Sequence, residues 1–173
     1  MNPDIQERLR QEIESVVEEH GGVTYESVNE MKYLSQVISE TFRMYPPVSQ
    51  LNRECNKSYT IPGTDLMIDE GTQVVVPVLG LHMDPAYYPD PDKFDPERFN
   101  SEEADKRNNY VFLPFGEGPR ICIGMRFGLM QIKVGLISLL QNYEFSICEK
   151  TAIPPTVNPR IFITAALEGI HLQ

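Results

Sequence analysis

The spacing of apolar residues predicts helices in the first quarter of the chain. A first stripe recurs at intervals of three and four residues, at Ile5, Leu9, Ile13, Val16 and Val17. It predicts an amphipathic helix from Pro3 to Glu19 that ends at Gly21 and Gly22. A second stripe consists of Val28, Met31, Leu34, Val37, Ile38 and Phe42. It predicts one further helical region, which Pro46 and Pro47 end because proline cannot continue a helix.

The pattern changes after residue 56. Short β-type runs in "KSYTIPGTDLMIDEGTQVVVPVL" are interrupted by Pro-Gly and Glu-Gly pairs, which predicts a β-hairpin over 57–80. Residues 81–119 are irregular and rich in proline, and half of the chain's 14 prolines fall between Pro77 and Pro119. A long irregular segment in a compact domain is usually functional. The segment over 81–119 is therefore a candidate for function.

The last third contains the most apolar helix and a tail. Residues Ile123–Gln141 are apolar almost all round with only Arg126 and Lys133 charged, which predicts a buried core helix rather than a membrane span. Residues 142–173 predict two short strands around a Leu-Glu-Gly turn. The fold class is therefore mixed, mainly α with small β-sheets.

Composition and charge exclude several classes. With 173 residues, 41% of them hydrophobic, the chain is long enough to bury a core. The net charge of −10 argues against nucleic-acid binding, which needs a basic face. Cys55, Cys122 and Cys148 have no paired spacing, so a reducing compartment is favoured over a disulfide framework. The first twenty residues are charged throughout and do not resemble a signal peptide.

Cys122 is the main candidate for chemistry. It lies in "FGEGPRICIG", residues 115–124, directly before the apolar helix. A helix N-terminus favours the thiolate, which is the form that binds metals or attacks electrophiles. Gly116 and Gly118 would allow tight turns, whereas Gly124 and Gly128 would share one helix face beside the sulfur. Considered singly, Cys122 could also be a small buried apolar residue, and Gly124 and Gly128 could form a close contact between two helices.

Two further charged motifs are weak when considered alone. Glu40 and Arg43 lie three residues apart in "ETFR", a spacing that is also typical of a surface ion pair. Arg98 lies in "PERF" at the end of the proline-rich run, where it would also be a normal solvated residue. Arg120 offers a planar guanidinium that suits a carboxylate.

Together these motifs resemble the cytochrome P450 family of haem-thiolate monooxygenases. "FGEGPRICIG" is similar to the family's haem-binding signature, "ETFR" to its Glu-x-x-Arg, and "PERF" to its meander motif, in the family's order. The run "LHMDPAYYPDPDKFDPERF" is also similar, with His82 as a structural histidine and not a second ligand. The style resembles microsomal eukaryotic members, notably insect detoxification and vertebrate drug-metabolising clans.

The resemblance implies roles for particular residues. Cys122 would be the catalytic residue and the iron ligand of a haem b. Further haem-binding residues would be Phe115, Gly116, Arg120, Gly124, Gly128 and Arg53. A buried structural cluster would consist of Glu40, Arg43 and Arg98. The substrate cavity would be lined by Val48, Ser49, Leu51 and Phe162, with Ile161 beside the last.

The resemblance also implies a reaction and partners. Dioxygen would be activated at the haem and an apolar small molecule hydroxylated. The electrons would come from NADPH through a flavoprotein reductase, with cytochrome b5 as a further donor. Positive charge for the reductase would come from Lys106, Arg107, Arg126 and Lys133, although a solvated charged face is the favoured explanation of each. The location would be the cytosolic face of the endoplasmic reticulum membrane.

The family's oxygen-activating helix and membrane anchor would precede Met1, so the resemblance implies the C-terminal portion of a single domain. Its parts would be helices with the Glu-x-x-Arg region (1–56), the hairpin (57–80), the meander (81–119), the haem-thiolate loop with its helix (115–141) and C-terminal strands (142–173). Activity of this chain alone is then doubtful. A non-catalytic truncated module and a cysteine-nucleophile enzyme stay open as alternatives.

Overall fold

The computed structural model describes residues 2–173, which form a helical body, two small sheets and a long irregular region. The helices are α1 (Pro3–His20), α2 (Tyr25–Glu30), α3 (Lys32–Met44), α4 (Val78–His82), α5 (Ser101–Ala104) and α6 (Met125–Leu140). The strands are β1 (Leu51–Glu54), β2 (Tyr59–Thr60), β3 (Met67–Ile68) and β4 (Gln73–Val76). Short 3-10 helices cover Pro96–Phe99, Asn109–Val111 and Gly118–Arg120. The architecture is the predicted one, mainly helical with small antiparallel sheets.

The core lies where α1, α2, α3 and α6 meet. Its buried members are Leu9, Ile13, Val28, Met31, Tyr33, Leu34, Ile38, Ile137 and Leu140. Helix α1 ends at Gly21, whose φ of 67° is the left-handed conformation in which glycine is most at ease. The side chain of Thr24 then caps α2 through the amide of Ser27. Both apolar stripes therefore face one core, as the spacing predicts.

The second stripe forms two helices rather than the single one predicted. The chain is extended at Met31, with ψ at 90°, and α3 begins at the next residue. The cause is Glu12 of α1, whose two carboxylate oxygens accept the amide hydrogens of Tyr33 and Leu34, each at 2.8 Å. In an uninterrupted helix these amides would donate to carbonyls four residues earlier. An acid from another helix therefore supplies the N-terminal cap of α3.

The predicted hairpin is wider than its expected range. β2 pairs with β3 inside 57–80, but β4 pairs with β1, which lies before this range in a stretch for which the sequence predicts no strand. β1 has the sequence "LNRE", which lacks the apolar alternation that identifies a strand. The result is two antiparallel sheets of two strands each, in which the β2–β3 pair lies between β1 and β4 in the sequence. Helix α4 begins directly after β4.

Two predictions about the last third are wrong. Helix α6 is not a buried core helix throughout, because only Ile137 and Leu140 are buried and Phe127 is 69% exposed. The tail over 142–173 contains only the isolated bridges Ile147 to Leu172 and Val157 to Ala166, and no strand. Among the described helices, none is both long enough and apolar enough to cross a bilayer.

The cap of α3 gives a stability prediction. Replacing Glu12 by alanine leaves the amides of Tyr33 and Leu34 without their acceptors, which is expected to cost about 1–2 kcal/mol of unfolding free energy. Glu14→Ala, at an exposed position of the same helix, is the matched control and is expected to change stability by less than about 0.5 kcal/mol. Urea unfolding of the protein that contains this chain measures both. Equal midpoints for the two variants would contradict the role of Glu12.

Candidate functional site

The loop before α6 holds Cys122 in a fixed backbone geometry. The amide of Cys122 donates to the carbonyl of Phe115 at 2.9 Å, and its carbonyl accepts from the amide of Met125 at 3.2 Å. Gly116 and Gly118 have φ values of 73° and 76°, a conformation that side chains with a Cβ rarely adopt. The two glycines therefore allow the loop to fold back, and Cys122 lies in the turn just before the helix.

The surface around Cys122 is open and apolar. Cys122 itself is exposed. Gly124 and Gly128 lie one helical turn apart, joined by a 2.8 Å hydrogen bond, and a Cβ added at Gly124 would lie 4.0 Å from the Cys122 sulfur. A Cβ at Gly128 would meet nothing within 4 Å. Ile123 is fully exposed and Phe127 is 69% exposed. The thiol therefore stands at the edge of a smooth apolar strip.

These residues fit one face of a haem. A haem brings four nitrogen ligands of its own and needs one further ligand from the protein, for which a thiolate is suited. Within residues 2–173, no group of three or more His, Cys, Asp or Glu side chains is placed to hold a metal ion between them. A single exposed sulfur beside a glycine strip matches the donor set and the flat shape of the porphyrin.

The two arginines predicted to bind haem lie in different elements. Arg120 is exposed at the end of the short 3-10 helix before Cys122. Arg53 lies on β1, where its side chain donates to the carbonyl of Asn52 at 2.9 Å. Leu51, two residues earlier, approaches within 3.6 Å of the position of a Cβ on Gly116. Because alternate residues of a strand share a face, Arg53 lies on the face of β1 that meets the Cys122 loop.

The predicted substrate-cavity residues come from two segments that the backbone joins. They are Val48, Ser49, Leu51 and Phe162. The amide of Thr164 donates to the carbonyl of Pro47 at 2.9 Å, which ties the tail to the chain just after α3. Phe162 is 70% exposed. The structure therefore brings the two segments together.

Glu40, Arg43 and Arg98 lie together in one cluster of charged side chains. The Glu40 and Arg43 side chains are fully buried and form a two-pronged ion pair, with N to O distances of 2.7 and 2.9 Å. The Nε of Arg98 lies 3.5 Å from Oε1 of Glu40, and its Nη2 donates to the carbonyl of Asp90 at 2.9 Å. The amide of Asp95 also donates to Glu40 at 2.8 Å. One carboxylate on α3 therefore accepts hydrogen bonds from Arg43 and from the Asp95 amide. Arg98 adds a neighbouring positive charge, because its buried Nε has no hydrogen-bond partner among the described residues.

The remaining donors of Arg43 hold the backbone of the irregular region. Nη2 donates to the carbonyl of Pro91 at 2.7 Å, and Nη1 donates to the carbonyl of His82 at 3.0 Å. Two guanidinium groups face one carboxylate here, so the cluster carries an excess positive charge, and backbone carbonyl oxygens offset it. Such a network is stabilising only while it is complete, because removing one member leaves a charge buried without its partner.

His82 is a buried residue whose two ring nitrogens are both engaged. Nε2 accepts the amide hydrogen of Leu113 at 2.9 Å, and Nδ1 lies 3.2 Å from the carbonyl oxygen of Arg43. An amide can only donate, so Nε2 carries no proton and Nδ1 donates. Burial lowers the pKa of His82 to about 4, an effect that its hydrogen bond to Arg43 only partly offsets. The ring is therefore neutral at physiological pH.

The positive charges considered for a partner surface differ in their surroundings. The guanidinium of Arg107 lies 4.9 Å from the ring of Tyr88 and 4.7 Å from that of Phe99, and it also donates to the Arg98 carbonyl. Lys106 pairs with Glu103 at 2.6 Å. Arg107 is thus partly exposed and also belongs to the packing around the buried cluster. No periodicity in the sequence indicates this role.

The hydrogen bonds of the histidines argue against a cysteine nucleophile, which needs a base beside the sulfur. His20 pairs with Glu30 at 2.8 Å. His171 contacts the carbonyl of Glu168 at 3.2 Å, and His82 is engaged as described above. Among the described residues, none of the three histidines bonds to Cys122. The arrangement suits a metal-bound thiolate better than an acyl-transfer site.

The neutral state of His82 predicts a pH effect on stability. The unfolded chain binds a proton at this histidine below about pH 6.5, whereas the folded chain does so only below about pH 4. The contribution of His82 to the free energy of unfolding is therefore fully present above about pH 6.5. It is lost as the pH falls towards 4, by about 3 kcal/mol in total. Urea unfolding at several pH values measures this, with His82→Gln as the control that lacks the titration. Identical pH profiles for both proteins would contradict the assignment.

Comparison with known proteins gives the family. The model of the family "Cytochrome P450" matches residues 1–172. The chain is 49% identical over 174 residues to "Probable cytochrome P450 6a13" of Drosophila melanogaster, covering 100% of this chain and 35% of that protein. It is 47% identical over 173 residues to "Cytochrome P450 6k1" of Blattella germanica, covering 99% of this chain and 33% of that protein.

A third relative has similar coverage. "Cytochrome P450 6a2" of Drosophila melanogaster is 47% identical over 174 residues, with 99% of this chain and 34% of that protein covered. The chain thus spans about a third of the length of the curated relatives it matches. With the family match over nearly all its residues, and with the thiol, the glycine strip and the buried cluster in one fold, the chain belongs to the cytochrome P450 family.

Proposed function

We propose that the protein containing this chain is a haem-thiolate monooxygenase and that Cys122 is its iron ligand. The observation that carries the proposal is the exposed thiol beside the Gly124 and Gly128 strip, in a loop that two positive-φ glycines fold. A smooth strip next to a single sulfur offers a flat ring system room to lie against the protein. Family membership supports haem b as the cofactor.

Each residue of the site has a task in this function. Haem, when bound, would supply the activation of dioxygen, and an axial thiolate favours cleavage of the O–O bond. Cys122 would hold the iron from one face, while Gly124 and Gly128 leave that face free of side chains. Arg120 and Arg53 would bind carboxylate groups at the ring's edge, because a guanidinium pairs with a carboxylate through two parallel hydrogen bonds.

The substrate and partners follow from the same proposal. We infer an apolar small molecule as substrate, held by Val48, Ser49, Leu51 and Phe162, since Phe162 exposes most of its ring and the tail is tied to Pro47. Electrons would come from NADPH through a flavoprotein reductase, with cytochrome b5 as a second donor. The relatives are named cytochromes P450 from insects, which supports a microsomal location on the endoplasmic reticulum membrane.

The division of the chain into parts belongs to the same proposal. The Glu-x-x-Arg helix and the meander over 81–119 would form a scaffold through Glu40, Arg43 and Arg98. The haem-thiolate loop with its helix, over 115–141, would rest on this scaffold. The exposed apolar faces of α6 and of the tail would then be surfaces where haem, substrate and further parts of the protein pack.

The ligand assignment gives a spectroscopic prediction. Cys122→His in the protein that contains this chain is expected to abolish the red-shifted Soret band that marks a thiolate-ligated haem in its reduced carbon monoxide complex. The reason is that imidazole is a neutral donor and lacks the electron push of the thiolate. Cys55→Ser, which changes a half-buried cysteine outside the loop, is the matched control and is expected to keep the band. A red-shifted band that survives in Cys122→His would exclude Cys122 as the ligand.

The buried cluster gives a prediction about the scaffold. Glu40→Ala and Arg43→Ala each strand a buried charge, which is expected to cost about 3–5 kcal/mol and to lower the yield of haem-containing protein. Glu103→Ala breaks the exposed pair with Lys106 at the same three-residue spacing and is expected to cost less than about 1 kcal/mol. Haem content per mole of purified protein measures the difference. Normal haem content with an altered product profile would instead indicate a role in substrate selectivity.

A further inference from the structure

One side chain, that of His82, links the buried cluster by hydrogen bonds to the segment that enters the Cys122 loop. Arg43 and His82 exchange hydrogen bonds, since the Arg43 guanidinium donates to the His82 carbonyl at 3.0 Å and the His82 ring lies 3.2 Å from the Arg43 carbonyl. The other ring nitrogen of His82 accepts the Leu113 amide at 2.9 Å. A single imidazole thus joins the end of α3, the end of α4 and the segment that enters the Cys122 loop.

The segment after Leu113 leads to the thiol through backbone hydrogen bonds. The Leu113 carbonyl accepts the amide of Gly116 at 3.1 Å, which closes the first turn of the loop. The Phe115 carbonyl then accepts the amide of Cys122 at 2.9 Å. Two backbone hydrogen bonds, one closing a turn and one closing the loop, therefore connect the segment that His82 holds with the backbone at Cys122.

Aromatic packing fixes the same segment from both sides of Leu113. The ring of Phe112 stacks on His82 with centroids 5.2 Å apart and planes at 29°. The ring of Phe115 meets Phe42, the neighbour of Arg43, edge to face at 5.2 Å. Residues 112–115 are thus held against the end of α3 and the end of α4, and the imidazole supplies the polar contact between the two aromatic contacts.

We propose that His82 is a positioning residue for the iron ligand. Its imidazole is fixed by the buried Glu40 and Arg43 pair and holds the Leu113 amide, and through this amide it determines where Cys122 lies. The inference rests on the proposed function of Cys122. It assigns no direct contact with haem or substrate to His82. The contact that matters is the one at Nε2, because Leu113 is the residue that belongs to the loop.

Two substitutions separate the two ring nitrogens. Glutamine can place an oxygen near the position of Nε2 and so keep an acceptor for the Leu113 amide, while losing the donor to the Arg43 carbonyl. Asparagine can place a donor near the position of Nδ1 and keep the Arg43 contact, while losing the acceptor for Leu113. Ser27→Ala is the control for loss of buried polar contacts elsewhere, since the hydroxyl of the fully buried Ser27 accepts the amide hydrogen of Thr24 at the start of α2.

Two measurements on the purified holoprotein test the proposal. The first is the share of the reduced carbon monoxide complex that shows the thiolate-type Soret band. The second is hydrogen exchange at the amides of residues 113–124, which needs no haem signal. We expect His82→Asn to lose most of the thiolate-type band and to raise exchange in this segment by about 5- to 30-fold. His82→Gln and Ser27→Ala are expected to stay close to the unsubstituted protein in both measurements.

The outcomes distinguish this proposal from the proposed function. A thiolate-type band in the unsubstituted protein that is unchanged in His82→Asn overturns the positioning role, as does a similar rise in exchange for Asn and Gln. If His82→Asn cannot be purified, raised exchange over 113–124 in His82→Gln overturns it as well. Absence of the thiolate-type band from the unsubstituted protein overturns the function of Cys122. In that case the exchange data still test whether His82 holds the backbone of residues 113–124.

Discussion

The buried ion pair between Glu40 and Arg43 is the interaction on which the rest of the structure depends. Both side chains are removed from water and are compensated by partners. The carboxylate accepts hydrogen bonds from Arg43 and the Asp95 amide and lies beside the charge of Arg98, and the Arg43 guanidinium donates to the carbonyls of His82 and Pro91. A buried ion pair contributes little net stability compared with an apolar replacement. What it provides here is geometry, because each partner must stay in place for the charges to remain satisfied.

This requirement explains how an irregular segment can hold a fixed shape. Between α4 and α6 the chain has only short helices, and apolar burial there is limited to a few residues such as Tyr88, Val111 and Leu113. Polar contacts fix the backbone of this segment, whereas in other parts of the chain the backbone is fixed by the hydrogen bonds of a sheet or a long helix. The stacking of Arg107 between Tyr88 and Phe99 adds a second anchor next to Arg98. The loop of Cys122 therefore begins from a rigid base.

The sequence predicts the parts of the fold whose signal is local. Helix α1 and the turns at Gly116 and Gly118 follow from apolar spacing and from the conformational freedom of glycine. The break at Met31 does not follow, because its cause is Glu12 on another helix. The strand β1 is missed for a similar reason: its polar sequence pairs with β4 about twenty residues later, and nothing within four residues indicates it. Contacts distant in sequence leave no periodic pattern.

Sequence composition overestimates the burial of α6. Its composition indicates a core helix, yet Phe127 and Leu139 are exposed, and the only buried residues of α6 are Ile137 and Leu140, with Leu129, Met130 and Leu136 partly buried against the core. Hydrophobic content reports how much apolar surface a helix carries, but it does not report which molecule covers that surface. Beside Cys122, an exposed apolar strip without Cβ atoms at Gly124 and Gly128 is the shape that a flat cofactor requires. The residues that define the site are thus apolar residues that stay exposed, whereas the polar residues that hold the neighbouring segment are buried.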